Sequence, residues 1–545
     1  MAFRTFFMFL SCFLLGILAN RTSLPYPLSG LVDLGYAQHV PTFVNTTSSG
    51  LRVTIYQNIR FARPPTGNLR FRKPDTNIPT ESNIQDGRAP WRYRDCISSA
   101  PGYIPFPDIN GTTWGHEDCL FLDVYVPDGV TPGDDVPVLH NFYGSAYAFG
   151  SKEFLFSPMG LFDQMNIIHG GKFIFVSNNY RQVNPISGQQ LMANFNRMGV
   201  SGWAYADGED MDSNIGMFDC LAAAEWTAKY IHKFGGNGKR ITAIGQSAGA
   251  GMLYYMTVLN GGKGKLPFQR AFISSPAAPQ RRNVTERMRR QFNLVLEAAN
   301  CTSLKCLRSI SEESMLAVND KLINQMPTES GGGTLGPVMG FGPASDGKDI
   351  PDIPLVMLQN GKFHKELENL VIGSMLLEGM GTSSDQDMPT RFPWLVRLTL
   401  PWANNRVIAK IQAGYRNLSE PAELAWDWTT DAVFACNAYN LAKAMASKSY
   451  RYIMSEPPAV HGQDVNYYFY VDPASTPVPE VSMAREFQTR LLKFIHGEDM
   501  DWPTYGKRGE IFNIVETFKK EDLPEVMRDR CETLNRFVLD PVNGA

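Results

Sequence analysis

The run Ile241-Thr242-Ala243-Ile244 leading into Gly245-Gln246-Ser247-Ala248-Gly249 constrains this chain more than any other stretch. A β-branched apolar segment, five small or polar residues around one serine, and then Met252, Leu253 and Tyr254 read as strand, sharp turn and helix. Such a turn holds its central serine in a strained backbone conformation that only glycine neighbours leave room for. It also thrusts the hydroxyl out at the carboxyl end of a sheet, as a nucleophile in need of a base. Small residues before a helix are equally ordinary loop chemistry, so the partners must come from elsewhere in the chain.

The 545 residues leave ample chain for a large core, in several domains or around one sheet with long excursions. A net charge of -3 gives no basic field for nucleic acid or anionic lipid. Residues 1–19 carry a charged start, an apolar run from Phe6 to Leu18 and a small residue, Ala19, which is the pattern of a signal peptide. That run is short for a bilayer span, and no second one follows. The expectation is a secreted protein without stable membrane insertion; an uncleaved anchor is the other reading. Sequons at Asn45, Asn110, Asn283, Asn300 and Asn417 suit N-glycosylation in that compartment.

Outside the leader, which holds Cys12, there are seven cysteines: Cys96, Cys119, Cys220, Cys301, Cys306, Cys436 and Cys531. An oxidising compartment makes disulfides the default, and an odd count leaves one thiol over. Spacing suggests Cys96 with Cys119 and Cys301 with Cys306, and does not decide Cys436 with Cys531. Cys220 lies in the apolar helix-like run Ile215 to Trp226, which predicts a buried, inert thiol.

Residues 51–56 are β-like, Arg63-Pro64-Pro65-Thr66-Gly67 is a turn, and Cys119 to Val126 is a strand ended by Pro127. At Arg60 to Phe71 and Glu117 to Pro127 the chain resembles the type B carboxylesterase/lipase family, to which cholinesterases and secreted fungal lipases belong. The resemblance continues through Asn179-Tyr180-Arg181, Asn214 to Asp219, Phe234-Gly235-Gly236-Asn237, Gly245 to Gly249 and Trp502-Pro503-Thr504-Tyr505. It implies an α/β-hydrolase fold, a large and mostly parallel central sheet flanked by helices, with residues 20–545 forming one catalytic domain. It also implies a loop closed by Cys96 and Cys119, a small loop closed by Cys301 and Cys306, and a late bridge matching Cys436 with Cys531. Structural ion pairs of Arg70 with Glu117 and Arg181 with Asp219 follow from the same pattern. The acidic run Asp207 to Asp212 lacks a calcium-loop spacing and reads as a solvated turn. No Cys/His spacing suggests zinc, and no glycine-rich loop suggests a nucleotide.

A serine hydroxyl needs an imidazole to take its proton and a carboxylate to orient that imidazole. In α/β-hydrolases these follow in the order serine, acid, histidine. Three histidines lie downstream of Ser247: His364, His461 and His496. His364 precedes the best acid and sits in a polar turn, and His496 matches the turn ahead of the Trp-Pro-x-Tyr element. His461-Gly462 matches the family's histidine motif. The acid expected from the resemblance is Glu378, at the end of the buried run Leu370 to Leu377, where an unpaired carboxylate would be costly; Asp385 is the alternative.

Backbone N–H groups serve an oxyanion without reorganisation. Where family members commonly carry a run of glycines, this chain has Tyr143-Gly144-Ser145-Ala146-Tyr147, so the matching donors are Ser145 and Ala146, with Ala248 as the third. Two side chains beside the acyl carbon would narrow the pocket. Trp114, in the loop between the first pair of cysteines, is expected to pack rather than to bind a cation. The reading is a carboxylesterase acting on small-molecule or lipid esters without cofactor or metal. A triacylglycerol lipase or a non-catalytic adhesion or binding protein on the same fold are the alternatives, and the sequence leaves the oligomeric state open.

Overall fold

The computed structural model of the chain describes residues 30–90, 92–100, 109, 111–147, 149–154, 157–181, 202–278, 280, 285–322, 342–382, 392–415 and 421–544. The signal segment 1–19, the sequons Asn110, Asn283 and Asn417, and Asp385 lie outside them.

Among the described residues, eleven strands form the main sheet: β1 (Phe43–Thr46), β2 (Arg52–Arg60), β3 (Phe121–Pro127), β4 (Val136–Phe142), β5 (Ile174–Asn178), β6 (Gly236–Gln246), β7 (Arg270–Ser274), β8 (Asn369–Met375), β9 (Ser449–Met454), β10 (Glu510–Ile514) and β11 (Phe518–Asp522). Their spatial order is β11-β10-β9-β8-β7-β6-β4-β5-β3-β2-β1. All pairs from β10 to β5 are parallel, and antiparallel strands close both edges. This is the large, mostly parallel sheet that the resemblance implied.

Alternate residues of the central strands feed two separate cores, as the two-residue period of a strand requires. Val138, Ile174, Ile241, Ala243, Ile372 and Ile453 join one apolar cluster. Helices α2 (Ile215–Tyr230), α3 (Ala248–Met256), α4 (Cys436–Met445) and α6 (Glu525–Leu539) bury their apolar residues in it. Their neighbours Leu139, Phe175, Ile244, Val371 and Tyr452 point into the other cluster, with α1 (Met159–Ile167) and α5 (Val481–His496). There Phe487 of α5, wholly buried, lies within ring contact of Phe272, Tyr452, Tyr468, Trp502 and Phe518. Burial of one such ring stabilises by about 1.5–3 kcal/mol.

Strand order also fixes where a ligand can enter. The chain leaves β4 for β5 on one side and later places β6 on the other side of β4. Loops after β4 and β6 therefore diverge, opening a crevice at the carboxyl ends of these strands.

Among the described residues, three disulfides join Cys96 to Cys119, Cys301 to Cys306 and Cys436 to Cys531, while Cys220 is free and buried. Burial pushes the Cys220 thiol well above its ordinary value, which leaves it inert. Arg70 and Glu117 form a buried two-bonded pair at 2.7 and 2.6 Å, and Arg181 and Asp219 do the same at 2.8 and 2.6 Å. The acidic run is the exposed turn that was expected, and it is also anchored: Arg72 and Arg308 both hold the Asp210 carboxylate, and Asp212 accepts the Lys73 N–H at 2.9 Å. Asn45 is half-buried on the edge strand β1, and Asn300 is exposed.

The Cys436–Cys531 bridge spans 95 residues and the Cys301–Cys306 bridge only 5. Replacing the first pair by serines is expected to cost about 4–5 kcal/mol and the second about 2 kcal/mol, by loop-closure entropy. Urea unfolding of the two double variants measures the difference, and equal losses would contradict this account.

Candidate active site

Ser247 caps α3 at the end of β6 with φ 56° and ψ −120°. A non-glycine residue there stores about 1–3 kcal/mol of strain, which the surroundings must offset. Its N–H donates to the Ser274 carbonyl at 3.0 Å, and its own carbonyl accepts from Gly251 and Ala277 at 2.8 and 3.2 Å. The glycines of the pentapeptide are needed for close approach. A Cβ on Gly249 would stand 1.9 Å from the Phe142 carbonyl oxygen, and one on Gly245 would meet the backbone of Gly249 at 2.6 Å.

His461 follows β9 and Glu378 follows β8, so both reach the crevice from neighbouring parallel strands. The Ser247 Oγ lies 2.7 Å from His461 Nε2, and His461 Nδ1 lies 2.6 Å from Glu378 Oε2. Because a carboxylate accepts at Nδ1, that nitrogen carries the proton and Nε2 is free to accept from the hydroxyl. Glu378 is wholly buried, and its second oxygen accepts the Met375 N–H at 2.8 Å. The turn below it is as tight as the serine turn: a Cβ on Gly379 would stand 2.0 Å from the Trp426 carbonyl oxygen. The hydroxyl thus has an imidazole nitrogen within hydrogen-bond reach, and the imidazole has a carboxylate at its other nitrogen, an arrangement able to supply a base and its orienting anion.

Three neighbours of this chain of bonds carry no signal in the sequence. The Gln246 amide Nε2 stands 3.3 Å from His461 Nε2, as a second donor to the same nitrogen. The Phe434 ring lies 4.5 Å from the imidazole, centroid to centroid. Phe434 belongs to a π-helical turn, Thr430–Ala435, whose Thr430 hydroxyl accepts the Gly379 N–H at 2.9 Å. Such a turn inserts an extra residue into a helix and is frequent at functional sites. Asp464 is the third. It is buried, its carboxylate is held by the Ser274 and Tyr452 hydroxyls, and burial pushes it up to about 6.

The other histidines are spoken for. His364 is buried, with Nδ1 2.6 Å from Glu366 and Nε2 3.1 Å from the Leu259 carbonyl, and His496 lies 2.8 Å from the Gly171 carbonyl. Trp114 donates its indole N–H to Asp95 at 3.1 Å and stacks under Arg92.

The loop after β4 lies over the serine. A Cβ on Gly144 would stand 2.7 Å from the Gln246 carbonyl oxygen and 3.0 Å from the Ser247 Cβ. Ser145, Ala146 and Tyr147 then adopt φ of 104°, 54° and 62° in succession. L-residues avoid these values, and Tyr147 supplies the restraint. Its ring is buried against Trp203, and its hydroxyl donates to the Ala277 carbonyl at 2.7 Å. Among the described residues, no backbone acceptor takes the N–H of Ser145, Ala146 or Ala248.

The single group of metal-ligating side chains among the described residues is Asp431 with Cys436 and Cys531, and those two cysteines are already bonded to each other. No helix among the described residues is long and apolar enough to cross a membrane.

Comparison with known proteins agrees with this fold. The carboxylesterase patB of Aspergillus clavatus is 28% identical over 538 residues, covering 88% of this chain and 91% of its own length. A secreted lipase of Arthroderma benhamiae is 24% identical over 486 residues, covering 81% of this chain and 89% of its own. The crystal structure of Aspergillus niger EstA superposes with a TM-score of 0.77 at 20% identity, covering 94% of this chain and 99% of that one. The carboxylesterase family model matches residues 42–523, a span that takes in all eleven strands of the sheet, and the chain belongs to that family.

Proposed function

We propose that the chain hydrolyses carboxylic esters through an acyl-enzyme formed on Ser247. The observation that carries this reading is the unbroken hydrogen-bond path from Glu378 through His461 to Ser247, at 2.6 and 2.7 Å. Ser247 Oγ adds to the ester carbonyl carbon while His461 Nε2 takes its proton. The bond to the alcohol oxygen then breaks, and the alcohol leaves with that proton. Water repeats the sequence: His461 takes a proton from it, the resulting hydroxide adds to the acyl carbon, and Ser247 departs protonated. One water is consumed, and no cofactor or metal takes part. Glu378 holds the reactive tautomer of His461 and stabilises its charged form. The N–H groups of Ser145, Ala146 and Ala248 are the donors we assign to the oxyanion.

Residues 20–545 are read as one catalytic domain, because strands from residue 43 to residue 522 build a single sheet. Three disulfides suit an oxidising compartment, and the Arthroderma relative is a secreted lipase, so we assign the chain to the extracellular space. The same relative, a lipase, favours the second reading, the triacylglycerol lipase that the sequence left as an alternative. Activity that rises abruptly above the solubility limit of the substrate distinguishes it. A purely adhesive role leaves the intact Ser247, His461 and Glu378 path without a use.

A fluorophosphonate is expected to label Ser247 and no other residue, as read by peptide mass. Ser247→Ala should abolish labelling and lower kcat by about 10⁴-fold or more; an unlabelled native protein overturns the assignment. Acidification is expected to lower kcat/KM with a slope of about one in a log–log plot, because protonated His461 cannot accept the serine proton. Glu378→Gln should cost about 10⁴-fold at neutral pH with the fold retained by circular dichroism; a pH-independent rate contradicts the role given to His461. Finally, Ser145 and Ala146 should disfavour acids branched next to the carbonyl. Replacing both by glycine is expected to raise kcat/KM for branched relative to linear acyl esters by about tenfold, the scale of one or two methyl groups in a pocket. An unchanged ratio means that the loop does not set acyl choice.

A further inference from the structure

Phe434 meets His461 in a way that no hydrogen bond describes. Its ring centroid lies 4.5 Å from that of the imidazole, with the two planes 38° apart. Flat rings lying edge beside edge cannot come so close, so the contact is through the ring faces. Phe434 is 2% exposed, which leaves little room for water at this contact. The face of a benzene ring carries negative density, and a cation above it is attracted without any donor or acceptor. In the reaction proposed for this chain, His461 becomes that cation. As the Ser247 Oγ forms its bond to the acyl carbon, its proton passes to Nε2 and the carbonyl electron pair moves onto the carbonyl oxygen. The imidazole then carries a positive charge until the proton is given to the departing alcohol. Glu378 answers that charge at Nδ1, in the plane of the ring. Gln246 does not, since its amide nitrogen is a donor at Nε2. Hydrogen bonds serve only the edge of an imidazole, whereas an aromatic ring can serve its face.

The ring is held in place by a turn fixed at both ends. At the start of the π-helical turn Thr430–Ala435, the Thr430 hydroxyl accepts the Gly379 N–H at 2.9 Å, next to Glu378. Toward its end the Val433 carbonyl accepts the Ala278 N–H at 3.1 Å. The Asn437 amide Nδ2, one helical turn on, lies 2.6, 2.8 and 3.1 Å from the carbonyls of Val433, Ala278 and Pro276. Ala277, between the last two, holds the Ser247 carbonyl. Phe434 thus belongs to one element tied to the supports of both Glu378 and Ser247. A ring fixed in this way loses nothing to reorganisation as charge develops beside it.

We propose that Phe434 is a positioning residue acting through His461: the face of its ring stabilises the imidazolium that forms while Ser247 attacks and the alcohol departs. The inference rests on the esterase reading. Its contribution is made only when the charge is present, so it lowers the barrier and does not strengthen substrate binding.

Replacing Phe434 by mono-, di- and trifluorinated phenylalanine in the full chain tests the proposal, because fluorine drains the ring face while closely keeping its shape. With p-nitrophenyl butanoate as substrate, kcat is expected to fall with each added fluorine, by about tenfold in all, the scale of a desolvated cation–π contact, with KM unchanged. Phe434→Leu should lower kcat as far, and the fluorinated series keeps the test valid where that variant fails to fold. A kcat that stays flat along the series overturns the proposal even where Phe434→Leu is slow, since the ring would then act by packing alone. A series that changes KM and not kcat overturns it too. Fluorophosphonate labelling of the unsubstituted chain separates the two claims: label on Ser247 with a flat series strikes only the part given to Phe434, whereas no label strikes the esterase reading and this part with it.

Discussion

Ser247 is held in a backbone conformation that an L-residue avoids, and the packing that holds it there organises the sheet around it. Its N–H is tied to Ser274 at the end of β7, and its carbonyl to Gly251 in α3 and to Ala277 beyond β7. Relaxing the residue would break all three bonds at once. The end of β4 closes the arrangement from the other side, since Gly249 abuts the Phe142 carbonyl and Gly144 abuts Gln246. The turn is therefore clamped between β4, β7 and α3, and this works only because β4 and β7 are the two neighbours of β6. The same order opens the crevice above it.

A second strained segment sits beside the first. Three successive residues with positive φ at 145–147 would be unstable in an exposed loop, where each costs about 1–2 kcal/mol. Here Tyr147 offsets the cost by burying its whole ring and by giving its hydroxyl to Ala277. Ala277 is also the donor to the Ser247 carbonyl, so the restraint on the loop and the restraint on the serine meet in one residue. A change that loosens Tyr147 would reach both the nucleophile we assign and the donors we assign to its oxyanion.

Much of this was legible in the sequence, for identifiable reasons. The central strands announce themselves because both faces are buried, which forces near-continuous β-branched and apolar runs such as Ile241 to Ile244 and Leu370 to Ile372. The order of Ser247, Glu378 and His461 is a motif of position, and the parallel strands β6, β8 and β9 turn position into proximity. Gln246, Phe434 and Asp210 were not legible. Nothing in a pentapeptide says that its second side chain will reach an imidazole 215 residues later. Thr430 to Ala435 has the composition of any buried helix, and nothing local announces its π turn or the Gly379 N–H that its Thr430 hydroxyl accepts. Asp210 finds its arginines 138 and 98 residues away, beyond any local pattern. His364 was rightly set aside as the base, but its polar neighbours give no hint that its side chain is buried and bonded to the Leu259 carbonyl.

The electrostatics of His461 raise a question that residue identity alone does not answer, since two buried carboxylates, Glu378 and Asp464, lie close enough to influence it. Both cannot serve as its partner. Geometry assigns the role to Glu378, which meets Nδ1 at 2.6 Å with its other oxygen fixed by a backbone N–H. One Asp464 oxygen is occupied by two hydroxyl donors, and its second oxygen has no partner among the described residues. Burial, with the Glu378 charge acting in the same direction, raises Asp464 to about 6, while His461 pulls the other way. The two acids are thus separated by their surroundings: Glu378 meets the imidazole directly, and Asp464 is turned to the Ser274 and Tyr452 hydroxyls.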